Sequence, residues 1–320
     1  MTYSNNPLLL AIAYVLGAVS SVASANDSSA ALTAGGLVLT QNDDIAMERE
    51  ALDISYNRVS VFYQFRNMSD VDKTVRIAFP LPDIRLEDVI NGHPSFPVKA
   101  PNNFVAFKTV VDGAPVDMNI SQRMWVGDKD VTDEYISYDF PPSLADERVF
   151  KTATTEYNYA LLTRIGAFGD PGMVQKTAYH WSQTFPADTP VQIKHEYKPV
   201  PGIFPVWREE SVELANGPWR TNYCLSDEAI SKITQDFQTT DQDDALTSTL
   251  RIPYVLKTGA NWKGGIGSFQ LQVVANDPYR YAALCAPDRS GGLFGSVITV
   301  NYDNFQPTHD LDILFFGAFH

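Results

Sequence analysis

The segment "VQIKHEYKPV" alternates along its length, with Val191, Ile193, His195 and Tyr197 on one side and Gln192, Lys194, Glu196 and Lys198 on the other. Successive side chains of an extended strand point to opposite faces, so a period of two marks a strand with one buried face. The same period returns in two neighbouring runs. Val59, Val61, Tyr63 and Phe65 form the first, and Val75, Ile77, Phe79 and Leu81 the second. Between them lies the turn-forming "NMSD", Asn67 to Asp70, and the pair reads as a β-hairpin. "PLP", Pro80 to Pro82, stops the second run, because proline has no amide to give to a ladder.

A further hairpin is expected in "FVAFKTVVDGAPVDMNI". Asp112-Gly113 can take the positive φ angles of a tight turn, and Val116, Met118 and Ile120 resume the alternation. Three more extended runs follow, at Arg251 to Lys257, Phe269 to Val274 and Ser296 to Tyr302, and "LDILFF" (Leu311 to Phe316) is placed to close the sheet. Helical signals are fewer. "SDEAISKITQDF" offers Ser226 as N-cap, Asp227 and Glu228 at the positive end of the dipole, and Ile230, Ile233 and Phe237 on one face. Residues 128–168 keep no alternation, and "TTEYNYALLTRIGAF" within them carries Tyr157, Leu161 and Ile165 at helical spacing.

The expected fold is therefore mainly β: an antiparallel β-sandwich-like architecture with a partly helical insertion at about 128–168 and a short helix in the C-terminal half. A single domain over 26–320 is expected, with two β subdomains split near residue 215 as the alternative. A transmembrane barrel also alternates, but its strands recur evenly at about ten residues. Here the runs are irregular, and the chain has 20 prolines to interrupt them.

The first 25 residues carry no charged side chain. "PLLLAIAYVLGAVSSV" (Pro7 to Val22) is apolar and leads into the small residues Ala23 to Ala25, the shape of a secretory signal without the usual basic start. Its 16 residues fall short of the ~20 that span a bilayer. The mature chain is expected to begin at Asn26, periplasmic or secreted and not membrane-spanning once the signal is removed. A retained membrane helix is the alternative. In an oxidising compartment the two cysteines, Cys224 and Cys285, read as a disulfide by default and as buried free thiols otherwise. Closing a loop of about 60 residues would contribute on the order of 4 kcal/mol by chain entropy. The formal net charge of −14 repels phosphate backbones, so nucleic acid is not an expected partner.

"GANWKGGIGSFQLQVV" (Gly259 to Val274) is the one glycine-rich stretch to test for phosphate binding. A Walker loop needs lysine after its last glycine and then a helix. Gly259 and Gly264 have the spacing, but Gly265 stands where the lysine belongs and Lys263 comes too early. A dinucleotide loop fails on its third glycine, and a strand follows in both cases. The stretch reads as a hairpin turn, with Trp262 and Lys263 as ligand-contact candidates. The five histidines, His93, His180, His195, His309 and His320, show no metal-ligand spacing, and no G-x-S-x-G elbow occurs. No catalytic residue, metal site or cofactor is assigned. His195 reads as a core histidine; His180 and Trp181 in "YHWSQTF" are further contact candidates. The acidic runs "NDD" (42–44) and "DQDD" (241–244), with Asp128, Asp130 and Asp133, lack the calcium-loop pattern and read as solvated turns. "HEYKPVPGIFPVW" sets Phe204 and Trp207 beside Pro199, Pro201 and Pro205, an aromatic and proline strip able to hold a sugar ring or a peptide.

Four blocks, "ANDSSAALTAGGLVLTQNDDIAMERE" (from Ala25), "FRNMSDVDKTVRIAFPLPDI" (from Phe65), "WSQTFPADTPVQIKHEYKPVPG" (from Trp181) and "YVLKTGANWKGGIGSFQLQV" (from Tyr254), together resemble a bacterial domain-of-unknown-function family, number 4424. The resemblance implies an exported bacterial protein and brings no catalytic residue with it. The reading that follows is a non-catalytic binding or accessory module whose partner is a protein or an envelope glycan. A hydrolase with a site gathered from dispersed Asp, Glu and His residues, and a subunit of an envelope complex, are the alternatives. Mass spectrometry of the exported chain should give an N-terminus at Asn26, with no thiol open to alkylation before reduction. A start far from Asn26, or two alkylated cysteines, would contradict the respective expectation.

Overall fold

The computed structural model describes residues 28–33, 36–92, 95–153, 155–207, 211–238 and 246–319; the expected signal segment lies outside them. Numbered in chain order, the strands form three sheets. The first contains β1 (Ser28–Thr33), β2 (Gly36–Thr40), β5 (Lys73–Pro80), β6 (Ile84–Arg85), β9 (Asn119–Val126), β10 (Lys129–Asp130) and β11 (Met173–Phe185), in the order β10-β9-β11-β5-β1-β2 with β6 also on β11. The second contains β3 (Ile45–Ser55), β4 (Arg58–Asn67), β7 (Lys108–Val111), β8 (Ala114–Pro115), β12 (Pro190–Tyr197), β15 (Ile266–Val274) and β18 (Val297–Phe305), in the order β18-β15-β3-β4-β12-β7-β8. The third runs β13-β14-β19-β16-β17, from β13 (Gly202–Trp207), β14 (Leu246–Tyr254), β16 (Tyr279–Cys285), β17 (Gly292–Gly295) and β19 (Leu311–Phe319). The chain is mainly β, as expected, and strands from both sides of residue 215 share the second sheet.

The first two sheets pack face to face. Val191, Ile193, His195 and Tyr197 of β12 are all buried, as their alternation predicts. Across the interface Phe65 of β4 meets Phe185 of β11 edge-on at 5.8 Å. His195 sits among Phe79, Phe107, Tyr63 and Trp181, with ring centroids 5.0–5.7 Å away. Its Nδ1 is 2.8 Å from Thr109 Oγ1, so the buried ring has a polar partner as burial demands.

The run that reads as a hairpin around "NMSD" is instead a crossing between the two sheets. β4 pairs with β3 on one edge and β12 on the other, while β5 pairs with β11 and β1. With both edges of β4 occupied, the chain has to leave the sheet. Fully buried Asn67 fixes that departure. Its Nδ2 donates to the Val71 and Phe185 carbonyls at 2.8 and 2.9 Å, and its Oδ1 accepts from the Ser69 amide and hydroxyl. The second expected hairpin is present but short: Asp112 (φ 47°) and Gly113 (φ 84°) join β7 to β8, after which β9 belongs to the other sheet.

The insertion between β9 and β11 holds α2 (Thr132–Ser137), α3 (Arg148–Ala153) and α4 (Glu156–Arg164). The helix α4 forms where expected, capped by Thr155, with Ile165 buried as read; its buried companion is Leu162, while Tyr157 is 73% exposed. The C-terminal-half helix α7 (Asp227–Gln238) has its N-cap, the Ser226 hydroxyl accepting from the Ala229 amide at 3.1 Å.

"LDILFF" is not at a sheet edge but is the central strand β19 of the third sheet. The unbroken apolar run from Ile313 to Phe316 follows from burial on both faces. Ile313 and Phe315 join the large core, whereas Leu314 and Phe316 pack with Leu214, Ile233 and Phe237 under α5 (Ser211–Asn216) and α7. Cys224 and Cys285 are joined in a disulfide, Cα atoms 4.9 Å apart, between the end of α6 (Pro218–Asn222) and β16.

Asn67→Ala removes the Nδ2 donor to the Phe185 carbonyl and leaves the Val71 carbonyl to the Ser69 hydroxyl alone, which should cost about 1–3 kcal/mol. Asn67→Asp keeps the acceptor and loses the donors, so urea melts should show it similarly destabilised. If Asn67→Asp proved as stable as the parent, the crossing would not depend on those two donated bonds.

Candidate ligand-binding cleft

β12 leaves the second sheet at Tyr197, opposite Val59 at the start of β4, and so exits at the end of the sandwich remote from Asn67. β5 starts at Lys73, just past the Asn67 crossing, and leaves the first sheet at that same far end. β11 runs straight past the departure, pairing Ala178 with Pro80 and then Gln175 with Ile84. Leu81, Pro82 and Asp83 thus face only Thr177 and Lys176, one residue more than the ladder can take up. This is a bulge in register terms, and bulges re-aim the side chains they carry. Proline at 82 has no amide to offer, and the Leu81 amide still reaches the Thr177 carbonyl at 2.8 Å.

Where the three sheets meet, these two exits border a cleft of about 790 Å³, its open mouth included. Phe104 and Val105 lie at its base, tied to the β12 exit by the Lys198 amide donating to the Val105 carbonyl at 2.8 Å. Pro199, Val200, Pro201 and Phe204 line the cleft together with the buried Tyr197. This is the proline and aromatic strip singled out in the sequence, folded partly onto its own core.

Four charged side chains line the cleft: Asp83, Arg85, Asp88 of the short helix α1 (Leu86–Ile90), and Arg251 of β14. The two arginines are committed elsewhere. Arg251 Nε donates to both oxygens of Asp312, at 2.7 and 2.9 Å. Arg85 donates to the Pro171 and Gly169 carbonyls, both at 3.1 Å, and pairs with Glu87 at 3.7 Å. Burial pushes the Asp83 carboxyl up to about 6, against the opposing pull of Lys176. Burial also raises the Tyr197 phenol.

A family model described as a domain of unknown function, DUF4424, matches residues 25–314. The chain belongs to this family. No curated protein matches it. Among solved structures, a Legionella pneumophila protein provisionally described as nutrient binding is 16% identical, with a TM-score of 0.43, over 91% of this chain and 70% of that one. A two-domain M1 zinc metallopeptidase with L-arginine bound is 8% identical, with a TM-score of 0.28, over 87% of this chain and 44% of that one.

In this DUF4424 chain the residues singled out from the sequence do not gather at one place. Trp262 is 1% exposed and packs on Phe65 at 4.7 Å, sealing the end of the sandwich near Asn67. Lys263 is exposed, its amide held by the Ile45 carbonyl at 3.0 Å. The stretch carrying both is not a hairpin turn; it leads from β14 in the third sheet to β15 in the second, where β15 runs parallel to β3. Its glycines serve that approach. Gly265 has φ 77°, and a Cβ on Gly267 would stand 2.7 Å from the Glu48 carbonyl at a bulge of β3.

Trp181 is buried against His195. His180, on the outer side of β11, has its pKa lowered by burial and then by Arg76. Trp207 is 42% exposed at the end of β13. None of these five lines the cleft. His309 is exposed beside Thr308, while His93, His320 and "DQDD" lie outside the described residues. Asn42 caps its own turn and Asp130 pairs with Arg123 at 2.6 Å, so these polar residues brace turns. Among the described residues no His, Cys, Asp and Glu cluster is placed to hold a metal, and no helix is long and apolar enough to cross a membrane.

Sequence reasoning missed Asp83, Arg85, Asp88 and Arg251. The nearest signal was "PLP", Pro80 to Pro82, read only as a strand stop just before Asp83. Because the folded carboxyl of Asp83 titrates above its unfolded value of 3.8, the folded state binds the proton more tightly. The stabilising term is then present below the unfolded pKa and lost as pH rises through about 6. Asp83→Asn should accordingly be more stable than the parent at pH 7.5, by up to about 3 kcal/mol. Urea melts should show most of that gain gone by pH 4.5; a gain independent of pH would contradict the desolvation of Asp83.

Proposed function

We propose that the chain is an exported binding module of the cell envelope that holds a small ligand, or the end of a peptide or glycan chain, in the cleft between its three sheets. The observation that carries this reading is the cleft itself. Its walls are prolines, aliphatic groups and the Phe204 ring, with a few charged groups placed among them, which is how ligand pockets are commonly built. Commitment of Arg85 to backbone carbonyls and of Arg251 to Asp312 supports a preformed wall rather than a set of reacting groups. Export is supported by the uncharged apolar leader and by the Cys224–Cys285 bond, since disulfides persist in oxidising compartments. Membership of a larger envelope complex is compatible with the same cleft and would appear as one fixed protein partner in a pull-down.

One observation favours a second reading. Asp83 and Asp88 share the cleft, and two carboxyls in different surroundings, one of them raised to about 6, are a pairing used for general acid and base work. Saturable hydrolysis of model glycosides, esters or peptides, abolished in Asp83→Asn, would establish that reading in place of the binding module.

Val200→Trp places a bulky ring in the cleft wall at a half-buried position. Ligand-observed NMR with a fragment library should give a set of binders to the parent that Val200→Trp loses, with melting behaviour otherwise retained. Binders kept in full by the blocked variant would remove the cleft as the binding site.

A further inference from the structure

We propose that this cleft selects a small organic cation, a primary ammonium or guanidinium carried on an apolar stem, with Asp83 as its counter-ion. The inference rests on the reading of the cleft as a ligand site and adds the class of ligand.

The charge balance of the lining points to a cation. Arg251 is answered by Asp312 and feels Asp88 as well. Arg85 is answered by Glu87 and two carbonyls. Counting these partners, the carboxylates Asp83 and Asp88 remain in excess on the cleft side. The one further cation acting on Asp83 is Lys176 of β11, and its ammonium lies over the Trp125 ring at 5.0 Å. Tyr197, the remaining titratable group lining the cleft, is held neutral by burial.

The position of Asp83 is built rather than incidental. The bulge against Lys176 and Thr177 sets Pro82 and Asp83 outside the ladder, so that residue 83 borders the cleft where regular pairing would keep it at the sheet. Among the described residues its carboxylate receives no hydrogen bond; burial and Lys176 account for its environment. A desolvated carboxylate without donors gains most from a ligand that brings both charge and donors. Other lining residues suit the rest of such a ligand. Val200 and Pro201 offer aliphatic contact for a stem, and the ring of Phe204 offers a face that attracts cations.

The test uses the purified full chain in isothermal titration calorimetry at pH 7.5. The probes are hexylammonium, hexanol, hexanoate and a blocked Gly-Lys-Gly tripeptide. Hexylammonium should bind at least tenfold more tightly than hexanol, with hexanoate weaker than both. Asp83→Asn should lose tenfold or more for hexylammonium and leave hexanol unchanged. Hexylammonium affinity should fall severalfold between pH 7.5 and pH 5 as Asp83 takes up its proton, and the fall should be missing in Asp83→Asn. A tripeptide that matches or exceeds hexylammonium assigns the cation to a peptide side chain, and one that fails assigns it to a free amine. Both results support the class. Hexanol equal to hexylammonium, with both displaced by Val200→Trp, overturns cation selectivity and leaves the binding cleft standing. Absence of binding by every probe, together with fragment binders insensitive to Val200→Trp, overturns both readings.

Discussion

The side chain of Asn67 decides how this chain becomes a sandwich. A strand of the second sheet ends there with both edges already paired, and the next strand has to start in the other sheet. Four hydrogen bonds around one buried amide hold that transfer in place, two given to carbonyls and two received from Ser69. An unpaired buried amide or carbonyl is costly, so few other side chains satisfy the site. Everything downstream takes its direction from this crossing. β5 runs away from it, reaches the far end of the sandwich at Pro80, and opens there onto the β12 exit and the third sheet. The cleft lies opposite the crossing because one chain segment joins the two.

Periodicity told which residues are buried far better than it told which strands are neighbours. Val191, Ile193, His195 and Tyr197 went inward as read, and so did Val59 to Phe65 and Ile77 to Phe79. Burial is a local consequence of side-chain alternation, whereas pairing depends on which edges other strands have taken. Nothing in "NMSD" distinguishes a hairpin turn from a crossing between sheets until β3 and β12 are known to flank β4. The same limit applies to "GANWKGGIGS". Its failure as a phosphate loop was legible, because lysine and helix were in the wrong places. Its use of Gly267 to let β15 approach a bulge in β3 required the partner strand. "LDILFF" shows the converse: a strand without alternation, because both its faces meet a core.

The cleft was half legible. The proline and aromatic strip from Pro199 to Phe204 stood out by composition, and it forms a wall. The charged groups did not, since desolvation of a carboxyl is a property of the fold and not of a sequence neighbourhood. Asp83 follows a proline in a segment that looks like any strand terminus. Only the register of β11 shows that one residue too many has been inserted there, and only the third sheet supplies Arg251 and the far side. The stripe of helix α4 was misread at one end: Ile165 is buried as read, but Tyr157, eight residues back, lies about 80° round the helix from it, and Leu162 takes the buried place.

Asp83 also sets a question of stability against use. A neutral amide of the same shape at this position would carry no charge into a desolvated site, and the folded chain would be the more stable for it above about pH 6. The carboxylate therefore stands as a destabilising choice at neutral pH, offset in part by Lys176. A ligand bearing positive charge reverses the sign of that choice. It restores the solvation the fold removes, and by linkage it stabilises the folded state in proportion to its affinity. The same desolvation that weakens the empty chain then strengthens the occupied one, which places the selectivity of the cleft in a single side chain lifted out of a sheet by a proline.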